Sequence, residues 1–409
     1  MFSLRNVALA TGFALSMSGA AFAQQDLVRI GAIAPLSGPA ANLGVSMKQA
    51  FEIVAKETNA AGGVEIDGKK RNISFLFEDS QGKPELGLAA AQKLLTRDNV
   101  DAIFHSLVAS SVALAVMELA PSFPDKLFLT GQNVSIQIAR KIAAEPKKYA
   151  NVWKPGWNSD AYAATVAGLV ASLEKDGKVN LGGKTVAFIV EDTDYGASNQ
   201  DDIQKLLAAA GWKAGGTEVV PVGNSDFYPQ LAKLTASKPD VVVSVFTAAN
   251  SGIALVKQMK ERGLKSLHIA VPYGNYTEFM AGSGNEKNGL LSVPLIYDPA
   301  NNPSHRDFAE RLKTELNVRI SQDHALGYCI GNIMIDAMKR AKTLDFDKLN
   351  AAMAATDYKC MLGRWVFDPK THSPMMGAEY LALPASQIQN GEHRAIWPPT
   401  AATAAYQAQ

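Results

Sequence analysis

Short apolar runs alternate with helical runs along nearly the whole chain, and the alternation starts twice. Val28–Ala34 is apolar enough for a buried strand, and Ser46–Thr58 follows with Met47, Ala50, Phe51 and Val54 on one helical face. Ile73–Phe77 alternates as a strand does, and Glu85–Leu95 is a helix entered through Pro84, which suits a first turn. Ala102–Phe104, Ser110–Leu119 and Leu127–Leu129 continue as strand, helix and strand. Strands joined through helices pair in parallel, so this order predicts a parallel sheet with helices on both faces.

After a helix over Asp160–Glu174 the pattern restarts. Thr185–Val190, Lys213–Val220, Val241–Phe246 and His268–Val271 read as strands. Helices over Ser198–Ala210, Pro229–Ala236 and Ser251–Arg262 separate them, and Gly211 and Gly263 stop two of these. Beyond Leu290–Leu295 the chain is mainly helical, over Ser304–Leu316, His324–Ala341 and Phe346–Ala355. Trp365–Asp368 and Tyr380–Leu383 are expected as short strands, and Thr400–Gln409 as a loose tail. A chain of 409 residues is too long for one compact core. The expected fold class is therefore α/β, in two units. Open α/β sheets take ligands outside the carboxyl ends of their strands, so a cleft between two such units is a small-molecule site.

The first residues carry an address. One cation, Arg5, precedes an apolar stretch over Val7–Ala20, and Ala21-Phe22-Ala23 fits a small-x-small cleavage site. This predicts a signal peptide over residues 1–23, a mature chain from Gln24 and a periplasmic location. The apolar stretch is shorter than the roughly 20 residues of a membrane span. Without Arg5 the chain holds 39 basic and 39 acidic residues. That balance gives no basic stripe and argues against a nucleic-acid partner. Cys329 and Cys360 are the two cysteines of an exported chain, where disulfides persist. They form either a bridge or two buried thiols, Cys329 lying in an apolar helical run. No histidine cluster accompanies them, so no structural metal is expected.

Enzyme motifs are missing. The mature sequence has no G-x-S-x-G elbow, no H-E-x-x-H and no P-loop. Gly282-Ser-Gly284 lacks the third glycine of a dinucleotide fingerprint, so no cofactor is expected. The acids Glu191, Asp192 and Asp194 read as ordinary loop acids rather than a metal site.

Several segments, in order, resemble one family. Ile33-Ala-Pro-Leu-Ser-Gly-Pro-Ala-Ala-Asn-Leu-Gly44 with Asn59-Ala-Ala-Gly-Gly-Val64 is similar to the opening of the periplasmic leucine/isoleucine/valine-binding proteins of ABC importers. Glu191-Asp-Thr-Asp-Tyr-Gly196, Asp226-Phe-Tyr-Pro, Val271-Pro-Tyr-Gly274 and Gly363-Arg-Trp-Val-Phe-Asp368 resemble later family segments. The resemblance implies two Rossmann-like lobes joined by three crossovers, the type I periplasmic binding protein fold. Lobe one would be residues 24–152 and 294–379, and lobe two residues 153–293 and 380–409. It implies a monomer that captures an amino acid, an amide, or an apolar or aromatic carboxylate and delivers it to an inner-membrane permease. A soluble ligand sensor is the alternative, and an exported hydrolase a more distant one.

Site residues follow from the matched loops. Ser110 and Ser111 open a helix where the family holds the ligand's carboxylate, a place serine also favours as a plain cap. Gln132 and Asn133 fall in the next binding loop, and Tyr195 matches a pocket tyrosine. Leu43 stands where members vary an apolar residue against the ligand. Trp157 and His105 read better as lobe-edge and core residues than as ligand contacts. Tyr273 occupies the place of a carboxylate that pairs with an amino acid's ammonium, and no aromatic residue stands at Ala248–Asn250. Burying an ammonium without a countercharge is costly. Tyr273 in the cleft therefore points to a carboxylate without an amine.

Overall fold

The computed structural model describes residues 27–408. The predicted signal peptide lies outside them. Two sheets carry the chain. The first runs in the order Val64–Ile66, Lys69–Asp79, Leu27–Ala34, Ala102–Ser106, Leu127–Thr130, Val152–Trp153. All its pairings are parallel except the first, a hairpin. The second runs Glu392–Trp397, Ala385–Gln389, Leu291–Ser292, Leu267–Pro272, Val241–Phe246, Thr185–Glu191, Lys213–Val220. Its last two strands in the chain add an antiparallel edge to a parallel core. This is the two-lobed, doubly covered α/β arrangement that the alternation predicts.

Parallel strands are buried on both faces, and the sequences show it. Val241–Phe246 is buried at every position, as is Ala102–Ser106. Late helices return to cover the first sheet. Gln322–Ala341 packs along Ala41–Ala60, where a Cβ on Gly327 would stand 3.0 Å from the Cβ of Ala50. A disulfide joins Cys329 of that helix to Cys360 of the hairpin Asp357–Cys360/Gly363–Val366, with Cα atoms 5.8 Å apart. Of the two readings left open by the sequence, the bridge is the one present.

Two expectations are corrected and one hairpin is added. Tyr380–Leu383 is not a strand; the closing strands are Ala385–Gln389 and Glu392–Trp397. They turn through Asn390 and Gly391, both at positive φ, a two-residue hairpin loop. Asp67 and Gly68 make the same kind of turn between Val64–Ile66 and Lys69–Asp79, a hairpin the sequence reading passed over. The tail is not loose near its end. Gln387 donates to the Gln407 carbonyl at 2.8 Å and accepts from its N–H at 2.8 Å.

The candidate ligand cleft

The chain passes between the sheets three times, and the carboxyl ends of both sets of strands face one another. In the first lobe Gly44 comes so close to Pro35 that a Cβ would stand 2.0 Å from the Pro35 carbonyl oxygen. Asp79 fixes the turn before it, accepting from the Leu36 N–H at 2.8 Å and the Ser37 hydroxyl at 2.6 Å. Ser110 begins the helix Ser110–Val116, and its hydroxyl accepts from the Ser135 N–H at 3.2 Å. The loop after Leu127–Thr130 is held by Asn133, which accepts from the Gly131 N–H at 3.0 Å and donates to the Ser106 hydroxyl at 3.2 Å. In the second lobe Thr193 caps the helix Asp194–Ala209, accepting from the Gly196 N–H at 3.0 Å, and sets Tyr195 at the helix start.

These loops enclose a cavity of about 280 Å³. Lobe one contributes Pro39, Ala40, Leu43, Lys83, Val108, Ser110, Ser111, Gln132 and Val134, and lobe two Tyr162, Thr193, Tyr195, Val222, Thr247, Pro272 and Tyr276. The wall is mainly apolar, and Lys83, exposed at the rim, is its one charged side chain. Two buried polar atoms on the wall have no protein partner, the Tyr195 hydroxyl and Gln132 Oε1. Such atoms are rare in native proteins and mark places where another molecule completes the hydrogen bonding. Across the rim the lobes touch through Ser135 and Ser198 hydroxyls at 2.7 Å, Arg140 and Asp202 at 3.4 Å, and Asn42 and Glu278 at 3.1 Å. A larger hollow of about 540 Å³ lies on the flank of the second sheet around His268 and Gln387. It draws on one lobe only, and none of its lining side chains carries a buried unpartnered polar atom among the described residues.

The cavity therefore gathers Leu43, Ser110, Ser111, Gln132 and Tyr195 and leaves out two others. Asn133 is fully buried behind the wall and spends its amide on Gly131 and Ser106. Tyr273 turns into lobe two. Its ring stacks 5.1 Å from Phe246 and lies over Gly252, where a Cβ would stand 2.1 Å from it. Its hydroxyl meets Ser244 at 2.6 Å and His268 at 3.2 Å. Only the absent side chain of Gly252 leaves room for that ring, so Tyr273 is a core residue and Tyr276 stands on the wall in its stead. Tyr273 does not reach the cavity and so bears neither for nor against an amine there. His105 is buried beside Phe128, its pKa pushed down to about 3 by burial, and Trp157 lies behind Tyr162.

Two buried acids stand behind lining residues without themselves reaching the cavity. Glu191 accepts from the Thr247 N–H at 2.7 Å, the Thr247 hydroxyl and the Ala248 N–H at 3.2 Å, which holds Thr247 against the cavity. Asp323, at the start of Gln322–Ala341, has an Oδ1 with no partner. Burial, then the nearby Glu278, push its pKa up to about 7, with the Gln132 amide opposing. The sequence marks Glu191 only as a loop acid and does not single out Asp323. Asp323 gives little signal: it follows the Ser321 cap in a polar first turn, Gln322-Asp-His324, where an acid is ordinary. Among the described residues no group of acids, histidines or cysteines is placed to hold a metal ion, and no helix is long and apolar enough to cross a membrane.

The profile of the family described as periplasmic binding protein matches residues 27–384. A Leu/Ile/Val-binding protein homolog of Brucella melitensis is 27% identical over 347 residues, 85% of this chain and 88% of that protein. The structure superposes with a TM-score of 0.77 on an ABC-transporter solute-binding protein of R. palustris in complex with benzoate, at 18% identity over 93% of this chain and 98% of that one. The branched-chain amino acid-binding protein LivJ of Streptococcus pneumoniae, in complex with isoleucine, gives 0.72 at 18% identity, over 90% and 98%.

Proposed function

This chain belongs to the periplasmic binding protein family, and from that premise we propose that it captures a small organic acid between its lobes and delivers it to an inner-membrane ABC permease. The family is one of solute-binding proteins, and the chain carries the type I fold with similarity to its Leu/Ile/Val-binding members. The observation that carries the reading is the cavity itself: about 280 Å³, closed by both lobes, apolar in its walls, with unpartnered oxygens of Gln132 and Tyr195 inside. That combination of an apolar body and a few placed polar groups is what a small-ligand site requires.

The lobes divide at residues 24–152 with 294–379, and 153–293 with 380–409. Ligand enters the open cleft and meets Leu43, Ser110, Ser111 and Gln132 of lobe one. Lobe two then closes and brings Tyr195, Thr247 and Tyr276 over it. The rim contacts Ser135–Ser198 and Asn42–Glu278 belong to the closed arrangement. Closure follows binding only because the ligand touches both lobes in that state and one lobe in the open state. The chain works as an exported monomer, with no cofactor and no catalytic step. The two neighbours in complex hold benzoate and isoleucine, both carboxylates, which suits the Ser110 and Ser111 end of the cavity.

Thermal unfolding of the chain from Gln24 against amino acids, amides and plain carboxylic acids tests this. A ligand at 100 times its dissociation constant adds about 2.7 kcal/mol, a shift of a few degrees for a chain of this length. A shift with at least one acid is expected. No shift with any member of the panel at millimolar concentration overturns the reading.

A further inference from the structure

We propose that Arg140 and Asp202, with the Ser135 and Ser198 hydroxyls beside them, form a clasp outside the ligand cavity that sets how much of the ligand-free protein is closed. Arg140 and Asp202 are then positioning residues for capture. They touch no ligand, yet contribute one common factor to the affinity for every ligand. The inference rests on the closure reading and names what holds the closed form.

None of the four residues lines the cavity. Ser135 caps the helix Ile136–Ala144, which carries Arg140 and joins two strands of the first sheet, Leu127–Thr130 and Val152–Trp153. Ser198 and Asp202 lie one turn apart on one face of Asp194–Ala209, which follows Thr185–Glu191 of the second sheet. The two helices meet at two successive points. The serine hydroxyls, both buried, stand 2.7 Å apart, and Arg140 Nη2 stands 3.4 Å from Asp202 Oδ1.

The clasp is asymmetric. The Asp202 side chain is 9% exposed, and its other oxygen accepts from the Ser159 hydroxyl at 2.5 Å, within the same lobe. The Arg140 side chain is 51% exposed, and Asp202 is the one acid it meets among the described residues. Ser159 therefore holds Asp202 in place on lobe two, and Arg140 arrives with lobe one. A second acid stands near: burial, and then the Asp202 charge, raise the pKa of Asp160, against Lys154 and Arg140. Lys154 itself is fully buried and donates to the carbonyls of Gly156 and Trp157, not to Asp202. Closure brings a cation to a patch of lobe two that holds two acids. Without Arg140 the closed form keeps a buried carboxylate uncompensated, which is costly. Without the Asp202 charge it keeps a half-solvated guanidinium, which costs little. Apparent affinity scales with the competent fraction, so the clasp acts on all ligands alike.

The closed fraction can be read with no ligand present. In S135C/S198C two thiols replace hydroxyls 2.7 Å apart, and in a glutathione buffer they join only while the lobes are closed. Cross-linking is followed by mass and peptide mapping. Adding R140M to this parent is expected to slow it about tenfold. Adding D202N is expected to slow it about threefold or less. Adding both should give a chain faster than the R140M one, because no carboxylate is stranded; a merely structural role would make it the slowest. Raising salt from about 0.05 to about 0.5 M should slow the parent and leave the R140M chain unchanged. Equal rates in all four chains, or a slowest double variant, overturn the clasp and leave capture by closure standing. A parent indifferent to salt overturns it too, even if R140M does not fold. No cross-link in the parent overturns the closed arrangement itself.

Discussion

Glu191 and Asp323 are two buried carboxylates behind the cleft wall, 1% and 3% exposed, and they differ in what surrounds them. Glu191 accepts three hydrogen bonds from Thr247 and Ala248 and so ties the end of Thr185–Glu191 to the loop after Val241–Phe246. Asp323 leaves one oxygen empty-handed and faces another acid. Burial alone therefore does not mark a functional acid. A satisfied buried carboxylate is architecture, whereas an unsatisfied one is a cost to the fold that its hydrogen bonds do not offset.

The comparison breaks most visibly if Glu191 is removed. Glu191→Ala strands two backbone N–H groups and a hydroxyl, and is expected to cost about 4 kcal/mol in urea unfolding. A loss under 1 kcal/mol would mean that the loop holds itself. Opening the disulfide with C329S/C360S is expected to cost about 3–4 kcal/mol, from a loop of 31 residues, while leaving the ligand preference of the wild type intact. That result separates the frame of the Asp323 helix from its chemistry.

Asp323→Asn acts in the opposite direction to Glu191→Ala. The folded pKa of Asp323, about 7, lies above the ordinary 3.8. Its contribution to stability is therefore fully present below 3.8 and is lost as pH rises through about 7. Ligand-free D323N is expected to exceed wild type by about 4 kcal/mol at pH 8, with the gap closing by pH 4. Equal stabilities at pH 8 would show that Asp323 already has a partner. The smallest effect is expected from two neighbouring tyrosines. Tyr273→Phe removes a hydroxyl from the Ser244–His268 network, should cost about 1 kcal/mol of stability, and should not change ligand affinity. Tyr276→Phe, on the cavity wall, should weaken binding and leave unfolding nearly unchanged.

Much of the fold is legible because parallel α/β units write continuous apolar strands between amphipathic helices, as Val241–Phe246 and Ala41–Ala60 do. The polar edge strands are not legible that way. Ala385-Ser-Gln-Ile-Gln389 has no apolar alternation, and its signal is the Asn390-Gly391 turn beyond it. Loop residues of the cleft follow from motif order, so Leu43, Ser110, Ser111, Gln132 and Tyr195 meet at the cavity. Tyr273 does not, because its direction is decided by Gly252, a residue 21 positions earlier that gives no local hint of the ring it accepts. Asp323 sits in the polar first turn Gln322-Asp-His324, where an acid is ordinary, and only the fold shows that one of its oxygens is buried without a partner.

The claim that the cleft is the binding site is tested most directly by titration calorimetry on the wild type and on S111W, which fills the cavity from a half-buried position on its wall. The acid that stabilises the wild type should bind it one to one and should not bind S111W, while the two ligand-free proteins unfold within about 1 kcal/mol of each other. Undiminished binding by a folded S111W would contradict the account and place the ligand elsewhere on the molecule.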